Sequence, residues 1–281
     1  MKAFLKKHKK RLLIDLAIVL ALAAMIIDSS CRIVKSEYTV SSENLPQSFD
    51  GFTVAQLSDI HGRMFGKNGQ RLIEKIENER PDIIVISGDL ADENTENFDE
   101  MEAFLSALVE IAPTYYVSGN HEWWARCLDE LEEIFEDSGV KYLKNEYVFI
   151  ERSGEKIALL GAEDPNGPAT MIKPPELVEM LEENEGESFR MLIGHRNDWR
   201  EKYPRLDVDV IFSGHAHGGI VRLPFLGGVL GTNMNLFPDD VDGALESGRY
   251  TLIVSRGLGN SVPIPRFLNN PELVIVKMES E

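Results

Sequence analysis

The stretch Val210-Ile211-Phe212-Ser213-Gly214-His215-Ala216-His217-Gly218-Gly219 decides how the chain is read. An apolar run suited to a buried strand stops at Ser-Gly, and two histidines one residue apart follow. A strand running into a tight loop aims both imidazoles from one backbone segment into one space. The glycines let the chain turn and bring backbone close to whatever the imidazoles hold. Four other segments repeat the pattern. Residues 54–58 lead to Asp59 and His61, and 83–87 to Gly88 and Asp89. Residues 115–118 lead to Gly119-Asn120-His121-Glu122, and 191–193 to Gly194-His195. Of six histidines only His8 falls outside these loops, a sorting that scattered structural histidines would not produce.

Working outward, apolar runs at 52–57, 83–87, 115–118, 156–160, 191–194, 208–213, 250–255 and 273–277 are expected strands. Helical periodicity falls at 70–79, 98–111, 125–137 and 175–183. Strand-helix alternation predicts an α/β fold, largely parallel in the first half, with a second sheet of mixed pairing. Sites in open α/β sheets collect outside the carboxyl ends of strands, so five loaded strand ends converge on one place. The donors are oxygen and imidazole nitrogen without thiolate, which suits Mn²⁺, Fe or Zn²⁺. Eight such side chains are too many for one ion and suit two. The acidic runs Glu130-Glu132-Glu133-Glu136 and Glu182-Glu183-Glu185-Glu187 read as solvated helix faces.

Asp-x-His at 59–61, Gly-Asp at 88–89, Gly-Asn-His-Glu at 119–122, Gly-His at 194–195 and Gly-His-x-His at 214–217 come in that order. They resemble the motif set of the calcineurin-like metallophosphoesterases, over about residues 50–277. With its basic start and short domain, the chain is most similar to the membrane-associated bacterial phosphodiesterase branch typified by YkuE and YaeI. The resemblance implies a four-layer αββα sandwich. It also implies that Asp59, His61 and His217 hold one divalent ion, that Asn120, His195 and His215 hold another, and that Asp89 bridges them. Mn²⁺ is the expected metal, with Fe or Zn²⁺ as alternatives. His121 would face the substrate, stabilising the transition state or protonating the leaving oxygen.

The activity so implied is hydrolysis of a phosphoester by a hydroxide shared between the ions. A phosphodiester, lipid-linked or from the cell envelope, is the expected substrate. A phosphomonoesterase or nucleotide hydrolase on the same centre, or a non-catalytic scaffold of the same fold, are the alternatives. Two divalent ions outweigh Asp59, Asp89 and one hydroxide, so the centre attracts phosphate inside an acidic protein. Glu122 is a candidate to orient His121 or another imidazole, with a plain surface carboxylate as the alternative. Arg63, Arg196 and Arg256 are candidate phosphate contacts, and Trp123 and Trp124 candidate walls of the entrance. The chain departs from the usual branch pattern at Ile220-Val221-Arg222 and Arg196-Asn197-Asp198, which bears on the outer wall and hence the substrate. Pro224-Phe225-Leu226 and Asn233-Met234-Asn235-Leu236-Phe237 are expected to form a mobile rim near the membrane.

The remaining features concern placement. At 281 residues and 43% hydrophobic, the chain has ample core. Its net charge is −18; Lys2, Lys6, Lys7, Lys9, Lys10 and Arg11 against Asp15 give residues 1–27 a charge of +5, leaving −23 for the remainder. So acidic a domain has no footprint for long nucleic acid. Two cysteines, Cys31 and Cys127, exclude a disulfide framework and a thiolate metal site. Residues 12–27 are apolar except for Asp15 and read as a membrane anchor or signal-like helix, placing the catalytic domain outside the cell membrane. The expected division is 1–27 anchor, 28–50 lead-in and 51–281 catalytic domain. No protein partner is expected.

Overall fold

Each apolar run that precedes a ligand loop forms a strand, and alternate residues of that strand face two different cores. In the computed structural model the elements follow in the order α1 (Lys2–Cys31), β1 (Val34–Ser42), β2 (Thr53–Leu57), α2 (Gln70–Glu79), β3 (Ile83–Ser87), α3 (Phe98–Ile111), β4 (Thr114–Val117), α4 (Asn120–Ala125), α5 (Leu128–Ser138) and β5 (Lys141–Tyr142). Then come β6 (Glu146–Arg152), β7 (Glu155–Ala162), α6 (Pro174–Glu185), β8 (Arg190–Gly194), α7 (Trp199–Lys202) and β9 (Val210–Ser213). The chain closes with β10 (Val221–Leu223), β11 (Gly227–Leu230), β12 (Gly243–Glu246), β13 (Thr251–Val254) and β14 (Glu272–Ser280). The structure describes residues 2–185 and 188–281. Glu187, and the side chains of Lys2, Lys6, Lys7 and Glu185, lie outside the described residues.

Two six-stranded sheets result, ordered β1-β14-β2-β3-β4-β5 and β12-β13-β9-β8-β7-β6. In the first, β2 to β5 run parallel and β14 lies antiparallel to β2. In the second, β13, β9, β8 and β7 run parallel between antiparallel edges β12 and β6. Val54, Val85, Val210 and Phe212 fill the core between the sheets. Ala55, Leu57, Ile84 and Ile86 face the other way, against Leu72, Phe104 and Leu131 of α2, α3 and α5. Ile211 and Leu192 pack outward against Leu177 of α6 and Trp199 of α7. Each fully buried Leu, Ile or Val contributes about 1.5–3 kcal/mol. This is the αββα sandwich, with the parallel strands of both sheets delivering their loops to one end.

Local signals set the helix limits. Asn97 caps α3, its Oδ1 accepting from Glu100 N at 3.2 Å, and Gly139 at φ 85° ends α5. The helix expected over 125–137 is instead two. Arg126 at φ 57° breaks the chain, so α4 begins at Asn120 directly beyond β4. The lead-in segment supplies β1, parallel to β14. Between the sheets, Gln56 Nε2 donates to Ser87 Oγ at 3.0 Å and to Ser213 O at 2.8 Å, tying three site-bearing strands together. Helix α1 contains a 24-residue stretch, His8–Cys31, long and apolar enough to cross a membrane. From Leu12 to Ile27 its Leu, Ile and Val side chains stand exposed, apart from the half-buried Ile26.

Candidate metal centre

Five residues of the ligand loops sit on turns with positive φ: Asp59 at 50°, His61 at 49°, Asp89 at 51°, His215 at 67° and His217 at 48°. For side chains with a Cβ this costs about 1–3 kcal/mol each, so the sandwich has to hold the conformation. Two glycines let the loops close. A Cβ on Gly88, itself at φ 84°, would lie 2.7 Å from His195 Nδ1, and one on Gly214 would lie 2.4 Å from Asp59 Oδ2.

The donors fall into two groups. His217 Nε2 is 3.3 Å from Asp59 Oδ1, and His61 Nε2 is 3.3 Å from His217 Nε2 and 3.7 Å from Asp89 Oδ2. His195 Nε2 is 3.1 Å from Asp89 Oδ2, 3.2 Å from Asn120 Oδ1 and 3.3 Å from His215 Nδ1. Asp89 Oδ2 therefore belongs to both. Asp59, His61, Asp89, Asn120, His195 and His217 are buried, and His215 is partly so. An ion about 2.0–2.2 Å from each donor sets neighbouring donors roughly 3.0–3.5 Å apart, which all these separations match except that of His61 and Asp89, slightly longer at 3.7 Å. A further grouping, His61 with Asp92 and His121, shares His61 through its outer nitrogen, with Nδ1 at 3.3 Å from Asp92 Oδ2.

Neighbouring groups aim the rings. His195 Nδ1 donates to Ser87 O at 2.9 Å, which turns Nε2 toward Asp89. Arg196 Nη1 lies 3.0 Å from His215 Nε2, and Arg266 Nη2 lies 3.2 Å from His217 Nδ1. Burial, with His195 and Arg196 adding, pushes His215 down to about 2. Burial, with His61 and Arg266, holds His217 well below the usual imidazole range. Both are thus neutral, the form that binds a cation. Burial opposes a charged His195, but the charge and hydrogen bond of Asp89 raise it to about 10. Asp89 is correspondingly lowered, the attraction of His195 overcoming burial. Asp59 is raised by burial, with Asp89 adding.

One consequence is measurable. At about pH 8 the metal-free protein carries a proton on His195, whose value of about 10 lies above that pH. Loading the apoprotein with Mn²⁺ should displace this proton, and the release should fade as the starting pH rises through about 10. Calorimetry in buffers of different ionisation enthalpy reads the release; cation binding without it would remove His195 from the ligand set.

The other sequence-derived residues divide. His121, its side chain 14% exposed, has its ring 4.8 Å from His61 and 5.0 Å from Trp124, with Glu93 Oε2 3.6 Å from Nδ1. Glu122 does not orient His121. It is fully buried, and its oxygens accept from the backbone N–H groups of Asp89, Leu90, Ala91 and Gly119, bracing one ligand loop against the next. Arg63 reaches the carbonyl of Ser30 at the end of α1, and Arg256 pairs with Glu272, so neither faces the cluster. Arg196 does. Its Nε and Nη2 are gripped by Asp164 at 2.6 and 3.1 Å, and it lines a cleft of about 1030 Å³ with His215, Asn235 and Asp240. Trp123 Nε1 donates to Ser118 Oγ at 3.0 Å, while Trp124 is mostly exposed. Sequence reasoning missed Asp92, Asp164 and Arg266. Only Asp92, three residues past Asp89, carried a signal; the others arrive from distant chain with no motif.

A family model described as calcineurin-like phosphoesterase matches residues 52–219, which contain all five ligand loops. The chain is similar to an uncharacterized metallophosphoesterase of Aquifex aeolicus, at 27% identity over 87% of this chain and 91% of that one. It is similar to the uncharacterized metallophosphoesterase YkuE of Bacillus subtilis, at 26% identity over 87% of this chain and 85% of that one. Phosphodiesterase YaeI of Escherichia coli is 28% identical over 53% of each chain. The two donor groups of this chain and its match across every ligand loop make one conclusion: the chain belongs to the calcineurin-like phosphoesterase family and is a metal-dependent phosphoesterase.

Proposed function

We propose that the chain is a membrane-anchored phosphodiesterase using two divalent ions, Mn²⁺ by preference. Asp59, His61 and His217 would hold one, Asn120, His195 and His215 would hold the other, and Asp89 would serve both. The observation that supports this is Asp89 Oδ2, within 3.1 Å of His195 and 3.7 Å of His61, the point where the donor groups meet. When bound, the ions would supply Lewis acidity, activating water and drawing charge from the phosphoryl oxygens. The chain supplies position and protons. Its loops fix the donors, and His121, its ring 4.8 Å from that of His61, delivers a proton to the departing oxygen. Arg196, held by Asp164, offers N–H groups to a phosphoryl oxygen that does not react.

The name of phosphodiesterase YaeI supports a diester over a monoester. The division is residues 1–27 as anchor, 28–50 as lead-in and 51–281 as catalytic domain. The basic cluster ahead of the apolar stretch favours a cytoplasmic N-terminus and a catalytic domain outside the membrane. Turnover of bis-p-nitrophenyl phosphate should exceed that of p-nitrophenyl phosphate with Mn²⁺ present; cleavage of the monoester alone would replace the reading with a phosphomonoesterase. Arg196→Ala should raise KM about tenfold or more, with a smaller change in kcat, as expected for a lost charged hydrogen bond to bound substrate. An unchanged KM would exclude Arg196 from phosphate contact.

A further inference from the structure

Phe225, Leu226, Met234, Leu236 and Phe237 are each more than half exposed, Phe225 completely. Phe225, Met234 and Phe237, with the partly exposed Leu268, sit at φ 67°, 60°, 51° and 52°. Glycine or asparagine is at ease in such turns and a bulky apolar side chain is rare, so local backbone preference did not place them there. The segments meet in space: β10 pairs with β11, Leu230 bridges to Leu236, and Val221 bridges to Phe267. Large exposed apolar side chains on neighbouring, paired segments mark a surface that something covers.

The end of α1 lies beside it. Arg222 N donates to Phe267 O at 3.0 Å, and three residues later Asn270 Nδ2 donates to Asp28 O at 2.8 Å. Three extended residues span at most about 11 Å, which bounds the distance from the base of the hairpin to the helix. Arg63 holds the carbonyl of Ser30, and Arg71 Nη2 donates to Cys31 O at 3.1 Å. These cations occupy carbonyls that a helix C-terminus leaves unpaired and oppose its negative dipole end. The helix is thereby fastened to the domain, two residues from His61.

We propose that residues 223–226, 234–237 and Leu268 rest in the bilayer interface, so that the cleft draws its phosphoester from a lipid headgroup at the membrane surface. The proposal rests on α1 as an anchor and on the cleft as the phosphoesterase site. The loop that presents Met234, Leu236 and Phe237 also lines the cleft through Asn233, Asn235 and Pro238, together with Arg196 and His215. A headgroup in the cleft therefore leaves its acyl chains among the apolar side chains. The remainder of the chain beyond residue 27 carries −23, and Asp239, Asp240 and Asp242 adjoin the patch. Apolar insertion and not attraction to anionic lipid supplies the contact, so phosphatidylcholine bilayers suffice.

The test uses the full chain in phosphatidylcholine vesicles, with Cys31→Ser removing the exposed thiol and Cys127 left buried. A nitrobenzoxadiazole label is placed at Phe225→Cys or, as a control, at Ser153→Cys in the turn between β6 and β7. The label at 225 should emit at shorter wavelength and be quenched by lipid bearing a nitroxide on its acyl chain, and the label at 153 should do neither. Unquenched emission at 225 in protein that resists alkaline carbonate extraction overturns the docking while leaving the anchor. A blue shift at 225 without quenching assigns the surface to a protein and also overturns it. Release of the chain by carbonate overturns the anchor and the docking together. Phe225→Ser with Leu226→Ser should slow hydrolysis of a diacylglycerol p-nitrophenyl phosphate in vesicles about tenfold or more, as expected on leaving two such side chains in water. Turnover of soluble bis-p-nitrophenyl phosphate should hold; equal losses on both, or none on either, contradict the proposal.

Discussion

Asp89→Asn should lower kcat/KM for bis-p-nitrophenyl phosphate by on the order of 10³ or more, with the protein still folded. The substitution keeps shape and removes the one charge common to both donor groups. Asp89 Oδ2 faces His195 at 3.1 Å and His61 at 3.7 Å, while Oδ1 accepts from His121 N at 2.9 Å. An amide loses the anionic acceptor and turns an N–H₂ toward at least one of these partners. The loss should appear in kcat as well as KM, because a ligand shared by two ions would position both with respect to the reacting phosphorus. Steady-state kinetics with Mn²⁺ in excess, beside thermal unfolding to verify folding, reads the outcome. Undiminished turnover would exclude Asp89 as the shared ligand.

Glu122→Ala should lower stability by about 3–5 kcal/mol, a large part of the roughly 5–15 kcal/mol that holds a typical domain. Four backbone N–H groups from two ligand loops lose their acceptor in a site closed to water. The effect should depend on pH. Burial, with Asp89 adding, raises the folded value of Glu122 from 4.5 to about 7. A raised value means a contribution fully present below about 4.5 and lost as pH rises through about 7. The gap between wild type and Glu122→Ala in the metal-free protein should therefore be wider at about pH 5 than at about pH 8. Urea unfolding at the two values measures it, and a gap that widens toward alkaline pH would contradict the assignment.

The ligand loops were legible because a strand, a small residue and a donor are adjacent in sequence, and parallel strands deliver such loops to one end. Helices α2 and α3 run over the expected 70–79 and 98–111, their periodic apolar residues facing the first sheet. What stayed hidden depends on long-range packing. The edge strands β6 and β12 are only partly buried, β12 for just four residues with every second one exposed. The break at Arg126 carries no glycine or proline. Glu122 looks like any acid of a helix face until β3 and β4 bring four N–H groups around it. Asp164 and Arg266 enter from chain 32 and 49 positions away from the Arg196 and His217 they touch.

Metal stoichiometry tests the pairing of the two donor groups most directly. Protein reconstituted with Mn²⁺, freed of excess and analysed for metal should hold about two ions per chain. Asp59→Asn with His217→Ala should leave about one, and His195→Ala with His215→Ala should also leave about one, each retaining the other half of the centre. A wild-type protein that binds no ion, or a count that neither pair of substitutions lowers, would contradict the account.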